Sequence, residues 1–133
     1  MTLAGALHIV KAETLVQADD EQLLLTGCFA ADLMSDVLAF AHPGSLLLTG
    51  LTTDQTIRTA TIKRVPAVLI VQGKQPGSEM LEAACEQGVG VYATPLSSYE
   101  CSGLLMQAGL RPYRKQAPAE PAELVEGGRG GSE

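Results

Sequence analysis

Short apolar runs closed by a turn residue return every 23 residues: Leu23–Gly27 (LLLTG), Leu46–Gly50 (LLLTG) and Leu69–Gly73 (LIVQG), with a fourth, Val91–Pro95 (VYATP), 22 residues later. Roughly 18 residues separate one run from the next, room for a loop, a helix of about three turns and a return loop. Runs that are continuously apolar, rather than alternating, mark parallel strands covered on both faces by crossover helices. The spacing predicts an α/β protein, a three-layer α/β/α domain with a mostly parallel sheet built from about four βα units. Units of this size recur throughout such folds, so the repeat is not read as a duplication.

At 133 residues the chain is sized for one domain. Apolar residues make up 46% and aromatic residues 4%, with no Trp, so the core is aliphatic and little is available for stacking on bases. The net charge is −6, without a Lys/Arg stripe, which argues against nucleic acid and anionic membranes as partners. No apolar stretch approaches the roughly 20 residues of a membrane span. The N-terminus, MTLAGALHIVKAE, has no basic leader region, so a cytoplasmic location is expected. Cys28, Cys85 and Cys101 lack CxxC spacing and are read as free, buried thiols. Residues 1–113 form the predicted domain. Residues 114–133, rich in Pro, Ala, Glu and Gly, are expected to be disordered because they bury too little to offset their ordering entropy.

Along the chain, residues 2–11 are ambiguous: Leu3, Ala6, Leu7 and Val10 fit a helical face with Thr2 as its cap, Ile9 and Val10 suit a strand, and a short helix is the favoured reading; Glu13–Gln17 reads as a strand. Leu33, Met34, Val37, Leu38 and Ala41 set a helix over Ala30–Ala41, ended by Pro43 and Gly44. Thr53 or Asp54 caps a second helix through about Arg64, with Lys63 and Arg64 in its last turn, and Ala67–Val71 is a buried strand. Ser78 caps a third helix, with Met80, Leu81, Ala84 and Cys85 on its core stripe and Gly88 closing it. Ser97 and Glu100 have capping-box spacing at the start of a fourth, which runs to Gly109.

In doubly wound sheets ligands sit beyond the carboxyl ends of the strands, near the point where strand order reverses. Those ends are read here as Thr26-Gly27, Thr49-Gly50, Gln72-Gly73 and Thr94-Pro95. Thr26, Gly27, Thr49, Gly50, Gly73 and Thr94 are therefore the candidate anion-binding residues, through free backbone N–H groups at the helix starts that follow. Lys74 lies just past a strand end, and Asp32 and Ser35, with Asp36, share the polar side of the first predicted helix. Thr and Gly are also ordinary strand-to-turn residues, and that plainer account carries more weight without a phosphate motif. None is present: Gly73-Lys74-Gln75-Pro76-Gly77 has the wrong spacing for a P-loop, and no GxGxxG follows a strand. A phospho-acceptor site wants acidic residues at strand ends, and none of the four runs ends in Asp or Glu. His8 and His42 stand apart from each other and from ligand-spaced cysteines, so no metal, cofactor or catalytic set is expected.

The run Leu25-Thr26-Gly27-Cys28-Phe29-Ala30-Ala31-Asp32-Leu33-Met34-Ser35-Asp36-Val37 resembles the signature region of the DRTGG domain family. The similarity continues through Leu47–Gly50, Ile57–Ala60, Ala67–Val71 with Gly73–Pro76, and Thr94–Ser97, covering roughly residues 3–110. Where the family has its naming motif this chain has Leu24, Leu25, Thr26, Gly27 and Cys28, without the acidic and basic positions or the second glycine. The resemblance implies an α/β/α domain similar to the N-terminal domain of HPr kinase, an accessory unit in some CBS-domain pyrophosphatases and phosphotransacetylase-like proteins, and stand-alone proteins, some encoded near iron hydrogenases. It further implies a non-catalytic regulatory or interaction role and homodimerisation. The alternative it leaves open is a sensor of nucleotides or other small anions at the carboxyl edge of the sheet.

Overall fold

A computed structural model describes residues 1–112. The elements are helix α1 (Leu3–Ile9), strands β1 (Glu13–Val16) and β2 (Gly27–Ala30), helix α2 (Met34–Phe40), β3 (Ser45–Thr49), α3 (Asp54–Ile62), β4 (Ala67–Ile70), α4 (Ser78–Gln87), β5 (Gly90–Ala93) and α5 (Ser98–Gln107). They form one five-stranded sheet ordered β1-β5-β4-β3-β2, in which only β1 runs antiparallel. The expected three-layer α/β/α arrangement is present. The expectation of a residue 114–133 tail lies outside the described residues.

The two faces of the sheet follow from the period-2 alternation of its side chains. Leu47, Val68, Ile70, Val91 and Ala93 point to one face and pack with Met34 and Val37 of α2, Ile57 and Ala60 of α3, and Met80 and Ala84 of α4. Leu46, Leu48, Leu69 and Tyr92 point to the other and pack with α1 and with Cys101 and Leu105 of α5. Because β2 to β5 are neighbours in chain order, each crossover turns the same way and delivers its helix to the same face. The second layer comes from the first and last helices. Strand order therefore never reverses among the four parallel strands, and the expected switch-point crevice between them is absent.

The ends of the elements largely match their local chemistry. Thr2 accepts the Gly5 N–H at 3.0 Å, and Ser97 and Glu100 close a reciprocal capping box on α5. That contact holds the Glu100 carboxyl below its usual range, since the backbone N–H of Ser97 and its hydroxyl both favour the ionised form. Gly88 caps α4 with φ 71°, in the left-handed region that glycine enters freely. Two caps differ from expectation. Gly77, not Ser78, is the N-cap of α4, and α3 stops at Ile62, because Arg64 adopts φ 57° and so cannot sit in a helical last turn.

The first apolar run behaves unlike the other three. Leu23–Gly27 is not a strand of the sheet, which begins only at Gly27 paired with Ser45. Its backbone groups are committed to the N-terminal arm: Leu3 donates to Leu23 O at 3.0 Å, Leu25 donates to Met1 O at 2.9 Å, and Leu24 bridges Thr2. Pairing with that arm carries the chain past the sheet edge before β2 starts. As a result the predicted helix Ala30–Ala41 is shortened to α2, Ala30 is in a strand, and Leu33 and Leu38 are exposed.

Candidate functional site

Four of the predicted residues converge at the carboxyl edge of the parallel strands. β3 ends in Thr49 and Gly50, the β4–α4 connection carries Lys74, and the β2–α2 loop carries Asp32. One Asp32 carboxylate oxygen accepts the Gly50 N–H at 2.7 Å and the Thr49 hydroxyl at 3.3 Å, while Lys74 Nζ lies 3.4 Å from Gly50 O. Asp32 is thus not on the polar side of a helix, as its spacing implied, but beyond the end of β2 facing β3. It supplies the acidic group at a strand end that the sequence lacked, because the slipped start of β2 moves that strand's end to Ala30. A Cβ on Gly50 would meet Lys74 Nζ at 3.0 Å, so glycine lets the two connections close over β3.

A second group surrounds the end of β5. The Thr94 hydroxyl donates to Val10 O at 2.7 Å and accepts the Leu96 N–H at 3.2 Å, fastening the end of α1 to the sheet. Gly73 donates its N–H to Thr94 O at 3.0 Å, and Gln72 donates to Leu96 O at 2.8 Å. Gln72 and Gly73 both have positive φ, 68° and 69°, the tight reversal these paired bonds require. A cleft of about 310 Å³ opens here between Lys11, Glu13, Gly73, Gln75 and Pro95.

The remaining candidates fall elsewhere. Thr26 and Gly27 stand at the amino end of β2, the opposite edge of the sheet, where the Thr26 hydroxyl donates to Pro43 O at 2.8 Å. They cannot join Thr49 and Gly50 in one site. Thr26 packs on the turn at Gly44, whose φ is 80° and whose added Cβ would lie 2.9 Å from the Thr26 methyl. Ser35 is exposed in the first turn of α2.

The chemistry available at the carboxyl edge is inward-looking. An anion there needs unspent N–H groups; at the strand ends the Gly50 N–H is taken by Asp32, the Leu51 and Leu96 N–H groups by the Thr49 and Thr94 hydroxyls, and the Gly73 N–H by a carbonyl, whereas the N-caps of α3 and α4, Thr53 and Gly77, make no side-chain bond to the helix starts that follow. The Asp32 carboxylate takes the Gly50 N–H, a donor that a phosphate oxygen would otherwise accept. Among the described residues no three of His, Cys, Asp and Glu stand together in a way that could hold a metal ion. The thiols offer no nucleophile in the core: burial, with a smaller contribution from Cys101, pushes Cys28 up to about 12, and burial, with a smaller one from Glu100, pushes Cys101 up to about 11. All three cysteines are free, but only Cys101 is buried: Cys28 is half-buried on the edge strand β2, and Cys85 is exposed on α4, contrary to its reading as a core residue, because Met80 and Ala84 are the residues that α4 buries. No helix among the described residues is long and apolar enough to cross a membrane.

No protein-family model matches the chain, and no curated protein matches it. Among solved structures, the fold is similar to the crystal structure of the CBS and DRTGG domains of the regulatory region of Clostridium perfringens pyrophosphatase, complexed with its activator diadenosine tetraphosphate. The TM-score is 0.69 at 19% identity, and the match covers 80% of this chain and 46% of that one. The chain thus spans less than half the length of that regulatory region, and the likeness is one of fold.

Proposed function

We propose that this chain is a non-catalytic regulatory domain of the DRTGG type that acts by protein interaction, as a homodimer in the cytoplasm. The observation that carries this reading is the carboxyl edge. There the Asp32 carboxylate and the Thr49 and Thr94 hydroxyls already hold the Gly50, Leu51 and Leu96 N–H groups at the strand ends. The likeness of fold to a regulatory region supports it. A second reading, a sensor of nucleotides or other small anions, is favoured by exposed Lys74 at the same edge and by the nucleotide activator bound to the pyrophosphatase region.

A thermal-shift series with adenine and guanine nucleotides, diadenosine tetraphosphate and acetyl phosphate separates the two. A ligand at 100 times its dissociation constant adds about 2.7 kcal/mol, several degrees in a domain of this size. The interaction reading expects no shift together with a dimer in sedimentation equilibrium. A shift that disappears in Thr49→Val and Lys74→Ala would replace it with the sensor.

A further inference from the structure

The carboxyl edge sets three groups of different chemistry side by side. Asp32 follows the end of β2, Thr49 ends β3 and Lys74 follows β4, and these three strands are neighbours in the sheet. The two oxygens of the Asp32 carboxylate are not equivalent. Oδ1 accepts the Gly50 N–H at 2.7 Å and the Thr49 hydroxyl at 3.3 Å, whereas no hydrogen bond or ion pair among the described residues engages Oδ2. Asp32 is exposed, so that second oxygen is left to solvent.

Lys74 stands beside Asp32 without neutralising it. Its Nζ and Asp32 Oδ1 lie 3.0 and 3.5 Å from the point where a Cβ on Gly50 would be, yet the two side chains form no ion pair. Thr49 is buried, and its hydroxyl accepts the Leu51 N–H at 3.2 Å, which aims its own proton into the same corner. A free anion drawn to Lys74 and Thr49 would meet the Asp32 carboxylate and be repelled by it. A phosphoryl group bonded to Oδ2 would not, because the bond removes the carboxylate charge and leaves Oδ1 a carbonyl oxygen that still accepts from Gly50.

We propose that Asp32 is a phosphorylation site, taking a phosphoryl group from a small acyl phosphate on Oδ2. An Oδ2 lone pair forms the new bond to phosphorus, the bond from phosphorus to the donor's acyl oxygen breaks, and the donor carboxylate leaves with that electron pair. No proton is gained or lost, and Asp32 becomes a mixed anhydride. Lys74 Nζ, now 3.4 Å from Gly50 O, turns to one phosphoryl oxygen, and the Thr49 hydroxyl turns from Oδ1 to another. The corner then carries about two negative charges where the carboxylate has one. This goes beyond the interaction reading above, which names no modification, and gives a regulatory domain a charge change that a partner can read.

The test incubates the full chain with acetyl phosphate and magnesium chloride and follows its intact mass. The wild type is expected to gain one phosphoryl group, which hydroxylamine removes, as it does from an acyl phosphate and not from a phosphate ester. Asp32→Asn, whose amide oxygen can still accept the Gly50 N–H, is expected to keep the wild-type circular dichroism spectrum and to gain nothing. Asp36→Asn, at an exposed position in the first turn of α2, is expected to react as the wild type does. Lys74→Ala is expected to react about tenfold more slowly or worse, the factor set by one charged hydrogen bond lost from the transition state, with Lys74→Arg restoring part of the rate. No gain in the wild type, a gain that survives Asp32→Asn, a gain that resists hydroxylamine, or a Lys74→Ala chain as fast as the wild type would each overturn the proposal. Any of these leaves the interaction reading standing, because that reading is tested by oligomeric state and thermal shift and not by covalent mass.

Discussion

Replacing Tyr92 by Phe removes one oxygen and tests how the acidic turn between β1 and β2 is held to the sheet. Tyr92 is fully buried on β5, and its hydroxyl accepts the Ala18 N–H at 2.9 Å while donating to the Glu21 carboxylate at 2.6 Å. Burial and the Glu21 carboxylate together raise the Tyr92 hydroxyl far above its usual range, so it is a donor throughout the ordinary pH scale. In Tyr92→Phe the ring still fills its space, and the loss is polar. The Ala18 N–H, in a residue only 6% exposed, is left without an acceptor, at a cost of about 1–3 kcal/mol. The bond to Glu21 adds less than the about 1.5–3 kcal/mol typical of charged partners, because Glu21 is half-exposed and can turn to water. The expected total is about 2–3 kcal/mol. Urea unfolding followed by far-ultraviolet circular dichroism measures it, with Glu21→Ala and the double variant completing a cycle. Glu21→Ala alone is expected to cost under about 1 kcal/mol, since water replaces it at the surface. A Tyr92→Phe loss below about 0.5 kcal/mol would refute the reasoning, because it would mean that Ala18 finds another acceptor and the turn is not fastened through this hydroxyl.

Gly90→Ala, at the start of the same strand, sets an added Cβ 2.7 Å from the Tyr92 ring and 2.8 Å from the Ala18 methyl; an overpacking loss of about 1–3 kcal/mol is expected in the same urea assay. Ser97→Ala opens the capping box of α5 and is expected to cost about 1 kcal/mol, read as a lowered urea midpoint at unchanged slope. Alkaline stability follows from the buried thiols. Cys28 and Cys101 bind their protons more tightly folded than unfolded, so stability is full below pH 9 and falls as pH rises from 9 towards their folded values of about 12 and 11, by up to about 1.4 kcal/mol per pH unit for each thiol. Urea midpoints at pH 8 and pH 10 check this, and a flat profile would contradict the burial. With a thiol reagent at pH 8, Cys85 is expected to react promptly, half-buried Cys28 more slowly, and buried Cys101 only as the fold opens.

Much of the candidate site could be named from sequence but not assembled from it. Thr49, Gly50, Gly73, Lys74 and Thr94 stand at the carboxyl edge of the sheet, where the apolar runs put them, because each of those runs is a buried strand. Asp32 lies in the loop between β2 and α2 and not on a helix, because the helical spacing from Leu33 to Ala41 hides the fact that the residues before Met34 are strand and loop. That Asp32 accepts from Gly50, 18 positions away, has no local signature. Thr26 and Gly27 repeat Thr49 and Gly50 letter for letter and yet lie at the other end of the sheet, so identical pentapeptides took different structures.

The contrast marks where local information ends. By itself the sequence determined the class of fold, three of the four parallel strands, the five helices to within a turn or two, and the caps at Thr2, Gly88 and Ser97, because strand burial, helical period and capping act over a few residues. Only the tertiary structure decided what Leu23–Leu25 would pair with, which edge of the sheet would hold Thr26, and how α1 and α5 would come to share the second face. Those choices depend on backbone groups finding partners 18 or more positions away. The apolar run LLLTG satisfies its hydrogen bonds equally well against a neighbouring strand or against the N-terminal arm, and its sequence is the same in either place.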